Sequence, residues 1–354
     1  MEQRATFRVR HDIHHADATI RIFHRGMIIV KLLIIFYWVF ITEAFTQYRR
    51  FGFADVSIAV YGEKSELSVE KYEHEDWNLT YLHKAPSPGR ENDAAIVFVH
   101  PVGAGISSWF WERVMNDFDD NPALYAPDLI GCGLEHGADA WIPEEKGLFF
   151  PLSWVQGIET LIQEKLVCGD TPKQCHVVVQ GGLAVVGVLL AHRNPEIVSK
   201  LILSSPPPYG QLINEIPQSE LKRNYNFLRS RAFGNIAFSL LETRWATQFF
   251  SNLFLFAEEC DEEWLEKTKE AALKEARPPV QIFNAGLLQH RSFERELKDI
   301  EQETLIISGE SDKRQFQRES YVAKMRKCKH IIMAGFNILP WESYHEFVDI
   351  LKDS

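Results

Sequence analysis

Ten residues from Val177 to Val186, VVVQGGLAVV, constrain the fold of this 354-residue chain more than any other stretch. An apolar run ends in Gln180 and two glycines, and a second apolar run follows at once without a charge. A strand that is apolar at every position has no face for water, so it belongs inside a parallel sheet covered on both sides. Ala94 to Val99 repeats that pattern, and further buried strands are predicted at Ala123 to Ala126, His176 to Val179, Val198 to Leu203, Thr304 to Ser308 and His330 to Ala334. Alternation at Leu67 to Tyr72 and Trp77 to Leu82 predicts an antiparallel pair ahead of them. Helical patterns fall between the strands, at Ser108 to Phe118, Leu152 to Leu166, Leu183 to His192, Gln315 to Arg326 and Trp341 to Leu351. The class expected is α/β: a mostly parallel central sheet with helices on both faces, which meets ligands at the carboxyl ends of its strands.

One interval breaks the alternation. Tyr209 to Leu297 reads as helices only, so residues 209–297 are expected to form a helical cap inserted after the sixth strand, with 51–208 and 298–354 as the core. The cap is rich in rings: Phe227, Phe233, Phe238, Trp245, Phe249, Phe250, Phe254, Phe256 and Trp264. A helical lid of that character over an apolar cleft points to a small lipophilic ligand, the bland alternative being that the rings are the cap's own core.

Residues 1–50 form an N-terminal leader of a different kind. Met27 to Thr42 is apolar but broken by Lys31, and its uncharged part falls short of the about 20 residues that span a bilayer. That length suits a signal-peptide apolar region, with small residues Thr42 and Ala44 at the cleavage site and Phe45 as the new N-terminus. Ala44-Phe45 followed by Arg49 and Arg50 resembles the bipartite plastid-targeting leaders of algae with secondary plastids. A plastid destination through a cleaved leader is therefore expected, with a retained membrane anchor in the secretory route and a helix packed on the domain as alternatives. Membrane contact is expected only through this segment.

Charge and cysteines narrow the partners. A net charge of -11 with no Lys/Arg run argues against nucleic acid. Cys132, Cys168, Cys175, Cys260 and Cys328 are scattered without C-x-x-C spacing, so buried free thiols are expected rather than a zinc site or a disulfide framework. Glu258, Glu259, Asp261, Glu262 and Glu263 read as a solvated helix start. No metal and no cofactor is expected. Gly103-Ala104-Gly105 and Asp128 echo a nucleotide-binding turn, but the third glycine is missing.

From Leu67 onward the motifs resemble the α/β-hydrolase superfamily. His100-Pro101-Val102-Gly103 follows the third strand where the family has H-G-x-G, Tyr125 to Gly133 is similar to its A-P-D-L-x-G-x-G, and His192-Arg193-Asn194-Pro195-Glu196 matches a helix end before the sixth strand. Pro101 departs from the family's glycine. The resemblance puts Asp312, after Leu305 to Ser311, at the position of the triad acid, and Ile338 at that of the late histidine. It puts Gln180, Gly182 and Ala184 on the three signature positions of G-x-S-x-G, where no nucleophile stands.

Acyl transfer through serine needs an oxygen nucleophile, an imidazole in reach of it and a carboxylate that orients the imidazole. Gly182 and Ile338 supply neither of the first two, which leaves Asp312 as a lone acid. Ser205, at the end of the sixth strand, is the candidate alternative nucleophile, with a turn residue before Pro206 as its plainer role; His290, His192 and His345 are bases by type only. The oxyanion donors of this fold are backbone N–H groups, here expected from Leu183 and Val102, and they survive without a serine. The pocket is accordingly expected to comprise His100, Val102, Gln180, Gly182, Leu183 and Ile338. The expected function is a non-hydrolytic member of the fold that binds a lipophilic ligand or a protein partner; the alternative is an ester or amide hydrolase with an unconventional nucleophile.

Overall fold

The computed structural model describes residues 67–147, 151–167, 172–230 and 234–354. The expected leader, Cys168 and Phe233 lie outside them. Eight strands form one sheet in the order β1-β2-β4-β3-β5-β6-β7-β8. They are β1 (Ser68–His74), β2 (Trp77–Lys84), β3 (Ala95–Val99), β4 (Leu124–Pro127), β5 (Cys175–Gln180), β6 (Val198–Ser204), β7 (Glu303–Gly309) and β8 (Cys328–Met333). The first two strands run antiparallel to their neighbours, and every pair from β4 through β8 is parallel.

Why the central strands carry no polar alternation is visible in where successive side chains go. Val97, Val99, Val177, Val179, Leu201 and Leu203 enter one apolar core. The residues between them, Ile96, Phe98, Val178 and Ile202, enter a second core on the other face. Helices α2 (Leu152–Leu166) and α3 (Ala184–Arg193) cover the first core, while α1 (Glu112–Asp117) and α12 (Tyr344–Asp353) cover the second. Burying a valine or isoleucine side chain contributes roughly 1.5–3 kcal/mol, so a strand buried on both faces gains at every position.

Between β6 and β7 the chain forms a cap of helices: α4 (Tyr209–Ile213), α5 (Gln218–Leu228), α6 (Gly234–Leu241), α7 (Arg244–Phe254), α8 (Glu262–Glu270), α9 (Arg277–Asn284) and α10 (Glu294–Asp299). A short α11 (Glu319–Lys324) joins β7 to β8. The cap is a helical insertion after the sixth strand, where the break in strand-helix alternation predicts it. Among the described residues no helix is long and apolar enough to cross a membrane.

Three expected helices are broken. Ser108–Trp111 and Gln315–Arg318 are 3₁₀ turns ahead of α1 and α11. Trp341 belongs to a separate turn, Leu339–Glu342, before α12. Glu342 explains the last break, because its carboxylate accepts the N–H groups of Phe336 and of Ala257 in the cap, tying the turn after β8 to the cap instead of continuing the helix.

Candidate functional site

β5 pairs with β6 through Gln180↔Ser204, and only then does the chain turn. Gly181 takes the left-handed conformation, φ 65°, and the helical turn Gly181–Leu183 leads into α3. In a nucleophile elbow the reactive side chain stands on the strained residue of this strand-to-helix turn, so the position is Gly181 rather than Gly182. A β-carbon at Gly181 would meet nothing within 4 Å, whereas one at Gly182 would lie 2.4 Å from the Phe283 ring. The N–H after the elbow therefore belongs to Gly182, not to Leu183, whose side chain is fully buried in the core under the turn. The shift by one residue follows from β5 keeping its pairing through Gln180.

Above the turn, between the strand ends and the cap, lies a cavity of about 660 Å³. Of the expected residues Val102, Gln180, Gly182, Ile338 and Ser205 line it; His100, Leu183 and Asp312 do not. His100 is fully buried, with Nδ1 donating to the Pro101 carbonyl at 2.8 Å and Nε2 accepting the Leu129 N–H at 3.1 Å. Burial lowers its pKa against the opposing charge of Asp128, so it is a neutral ring bracing the loop after β3 and offers the cavity nothing. Asp128 itself accepts from Thr80 Oγ1 at 2.6 Å and from the Ser108 N–H at 2.7 Å, which leaves it no part in holding a ribose.

Asp312 is not a lone acid. Its carboxylate takes Arg318 Nη2 at 2.8 Å, Arg314 Nε at 3.1 Å and the Arg314 N–H at 2.9 Å. Burial pushes its pKa up, but the Arg314 hydrogen bonds and the Arg318 charge outweigh burial and hold it below the usual carboxylate range. Sequence spacing carried no sign of this, because Arg318 reaches Asp312 through the turn Gln315–Arg318.

Of the cap rings, Phe238, Phe250, Phe254 and Trp264 line the cavity, together with Phe283, which the sequence reading missed. Phe256 packs on Trp264, which also meets Trp109 and Trp341, and Trp245 stacks on Phe249. Among the described residues no histidine, cysteine, aspartate or glutamate lines the cavity. His290 bonds the Leu287 carbonyl, His192 faces Asp299 and His345 faces Asp117, all away from it. The thiols are equally unsuited to attack: burial pushes Cys175 and Cys328 up to about 12 and Cys260 to about 11. Among the described residues no group of three His, Cys, Asp or Glu side chains could hold a metal ion.

Two serine hydroxyls lie near the carboxyl ends of β6 and β7. Ser205 has φ 46°, a strained conformation for a residue with a side chain, and its buried Oγ has no hydrogen-bond partner among the described residues. Ser308, at the end of β7, does have an imidazole: its Oγ bonds His330 Nε2 at 2.8 Å, and His330 Nδ1 bonds Glu319 at 2.8 Å. That connectivity matches a Ser-His-carboxylate triad. Accessibility decides against it. Ser308 is fully buried, accepts from Arg318 Nη1 at 3.2 Å and lines no part of the cavity; Arg318 beside it also donates to the Pro206 carbonyl.

Residues 96–349 match the family model described as the alpha/beta hydrolase family. No curated protein sequence matches the chain. Solved structures similar to it include a serine hydrolase from the polyaromatic-hydrocarbon-degrading bacterium Cycloclasticus zankles, at 17% identity and TM-score 0.59, covering 81% of this chain and 96% of that one. Haloalkane dehalogenase DatA from Agrobacterium tumefaciens C58 is similar at 16% identity and TM-score 0.59, covering 81% and 95%. Proline iminopeptidase of Mycobacterium smegmatis is similar at 15% identity and TM-score 0.58, covering 81% and 97%. At these identities the likeness is one of fold.

Proposed function

We propose that this chain, which belongs to the alpha/beta hydrolase family, is a non-hydrolytic member that holds a small lipophilic molecule between its sheet and its cap. One observation carries the reading: no imidazole and no carboxylate lines the cavity among the described residues, so the hydroxyl of Ser205 has no base to take its proton. The residues at the family's catalytic positions support it. Gly181 offers no side chain, Ile338 moves no proton, and the carboxylate of Asp312 is taken by two arginines.

What remains is a binding apparatus. The first turn of a helix leaves its N–H groups without intrahelical acceptors, so Gly182 presents a free donor at the cavity floor, and Val102 lines the same wall. Those donors can grip an oxygen without any reaction following. Around them stand Leu241, Phe250, Phe254 and Phe283, apolar surface that favours a hydrocarbon or ring system. The leader's resemblance to plastid-targeting segments makes a plastid the compartment we propose for this binding.

Mass spectrometry of small molecules that copurify with the folded chain, paired with assays on short-chain and long-chain acyl esters, tests the proposal. A bound lipophilic compound with no ester turnover is the expected result; turnover abolished by Ser205→Ala overturns it. The hydrolytic alternative has one feature in its favour, the strained backbone and unpartnered hydroxyl of Ser205. Its weakness is that no base lines the cavity among the described residues.

A further inference from the structure

Gln180 is 1% exposed and lines the cavity at the end of β5. Its Nε2 donates to the Asn337 carbonyl at 2.7 Å. A carbonyl only accepts, so the amide cannot be turned over, and the orientation of Oε1 is fixed by chemistry. Oε1 is buried and has no hydrogen-bond partner among the described residues. An orphaned buried acceptor specifies its complement: an O–H or N–H hydrogen supplied from the cavity.

The rest of the lining is mostly uncharged. Among the described residues Arg314 is the only charged side chain in it, and Asp312 holds that guanidinium at 3.1 Å through Nε and at 3.3 Å through Nη2. Asp312 is shared with Arg318, so that charge is only partly matched, but a ligand carboxylate at Gln180 would still meet Oε1 with lone pairs instead of a hydrogen. The orphaned Ser205 Oγ can donate or accept, so it complements either atom of a hydroxyl or an amide.

We propose that the buried end of the ligand is an alcohol or an amide N–H that donates to Gln180 Oε1, with the apolar remainder against the cap. This rests on the reading of the cavity as a lipophilic binding site, and it goes further by choosing alcohols and amides over esters, ethers and ionised acids.

The test uses the full chain and displacement of the fluorescent probe N-phenyl-1-naphthylamine by dodecanol, dodecanamide, dodecyl methyl ether and dodecanoate. Dodecanol and dodecanamide are expected to bind about 10-fold or more tighter than the other two, because only they satisfy the buried acceptor. Gln180→Leu is expected to reduce that preference to about 3-fold or less. Ether or dodecanoate binding as tightly as dodecanol to the unaltered chain overturns the donor assignment alone, with or without a folded Leu variant. Failure of all four to displace the probe overturns the lipophilic-site reading beneath it.

Discussion

Among the described residues that line the cavity none is an imidazole or a carboxylate able to take a serine's proton, and single residues make the proposed loss of hydrolysis testable. A serine at Gly181 has open space for its side chain, and its left-handed backbone costs about 1–2 kcal/mol. Gly181→Ser alone is expected to fold and to remain unlabelled by a fluorophosphonate, because no imidazole lines the cavity among the described residues. Gly181→Ser combined with Ile338→His, at the other cavity wall, is expected to gain labelling, read by intact mass. Labelling of the single variant would mean that an unrecognised base is present. A second residue-scale prediction concerns acid. His176 is lowered to about 4, by burial first and by the charge of Lys200 second, and buried His100 is lowered as well. Both bind protons more readily when unfolded, near about pH 6.5, so the stability they contribute is full above that pH and is lost as pH falls toward about 4. The urea midpoint is expected to drop over that window, and His176→Asn to flatten the drop. A midpoint unchanged between about pH 7 and about pH 4.5 contradicts the assignment.

At the scale of elements, the cap is held against the core by contacts that leave no slack. Gly105, in the loop after β3, has φ 69°, and a β-carbon there would lie 2.1 Å from the Thr268 carbonyl oxygen in α8. Gly105→Ala therefore combines backbone strain with a clash against main chain, and a loss of about 2–4 kcal/mol is expected. Because the same loop carries Val102, the variant is also expected to weaken dodecanol binding, which probe displacement measures. Unchanged stability and unchanged binding together would mean that this loop does not hold the cap. Within the cap, Arg277 bonds Glu242 through Nε at 2.6 Å, with both side chains largely buried. Removing one member of such a pair strands the other charge, so Arg277→Ala is expected to cost about 3–5 kcal/mol, seen as early hydrogen exchange across α6 and α9. Exchange no faster than in the unaltered chain would count against a structural role for the pair.

Seen whole, the molecule shows which physical signals a sequence carries. Continuous apolar runs such as Val177 to Val179 were readable as strands because burial on both faces leaves no other composition. The elbow position was off by one because Gln180-Gly181-Gly182 holds two glycines, and only the extent of pairing to Ser204 decides which turns left-handed. His100 looked like pocket chemistry, yet it faces Leu129, a contact set by the packing of β3 beside β4. The arginines on Asp312 and the Ser308-His330-Glu319 chain were illegible for a similar reason: they join β7, β8 and the turn between them through tertiary distances that spacing does not encode. Intact-mass analysis of the unaltered chain after exposure to a fluorophosphonate tests the central claim most directly. No covalent adduct is predicted. A single adduct that vanishes in Ser205→Ala would show that the cavity activates a hydroxyl after all.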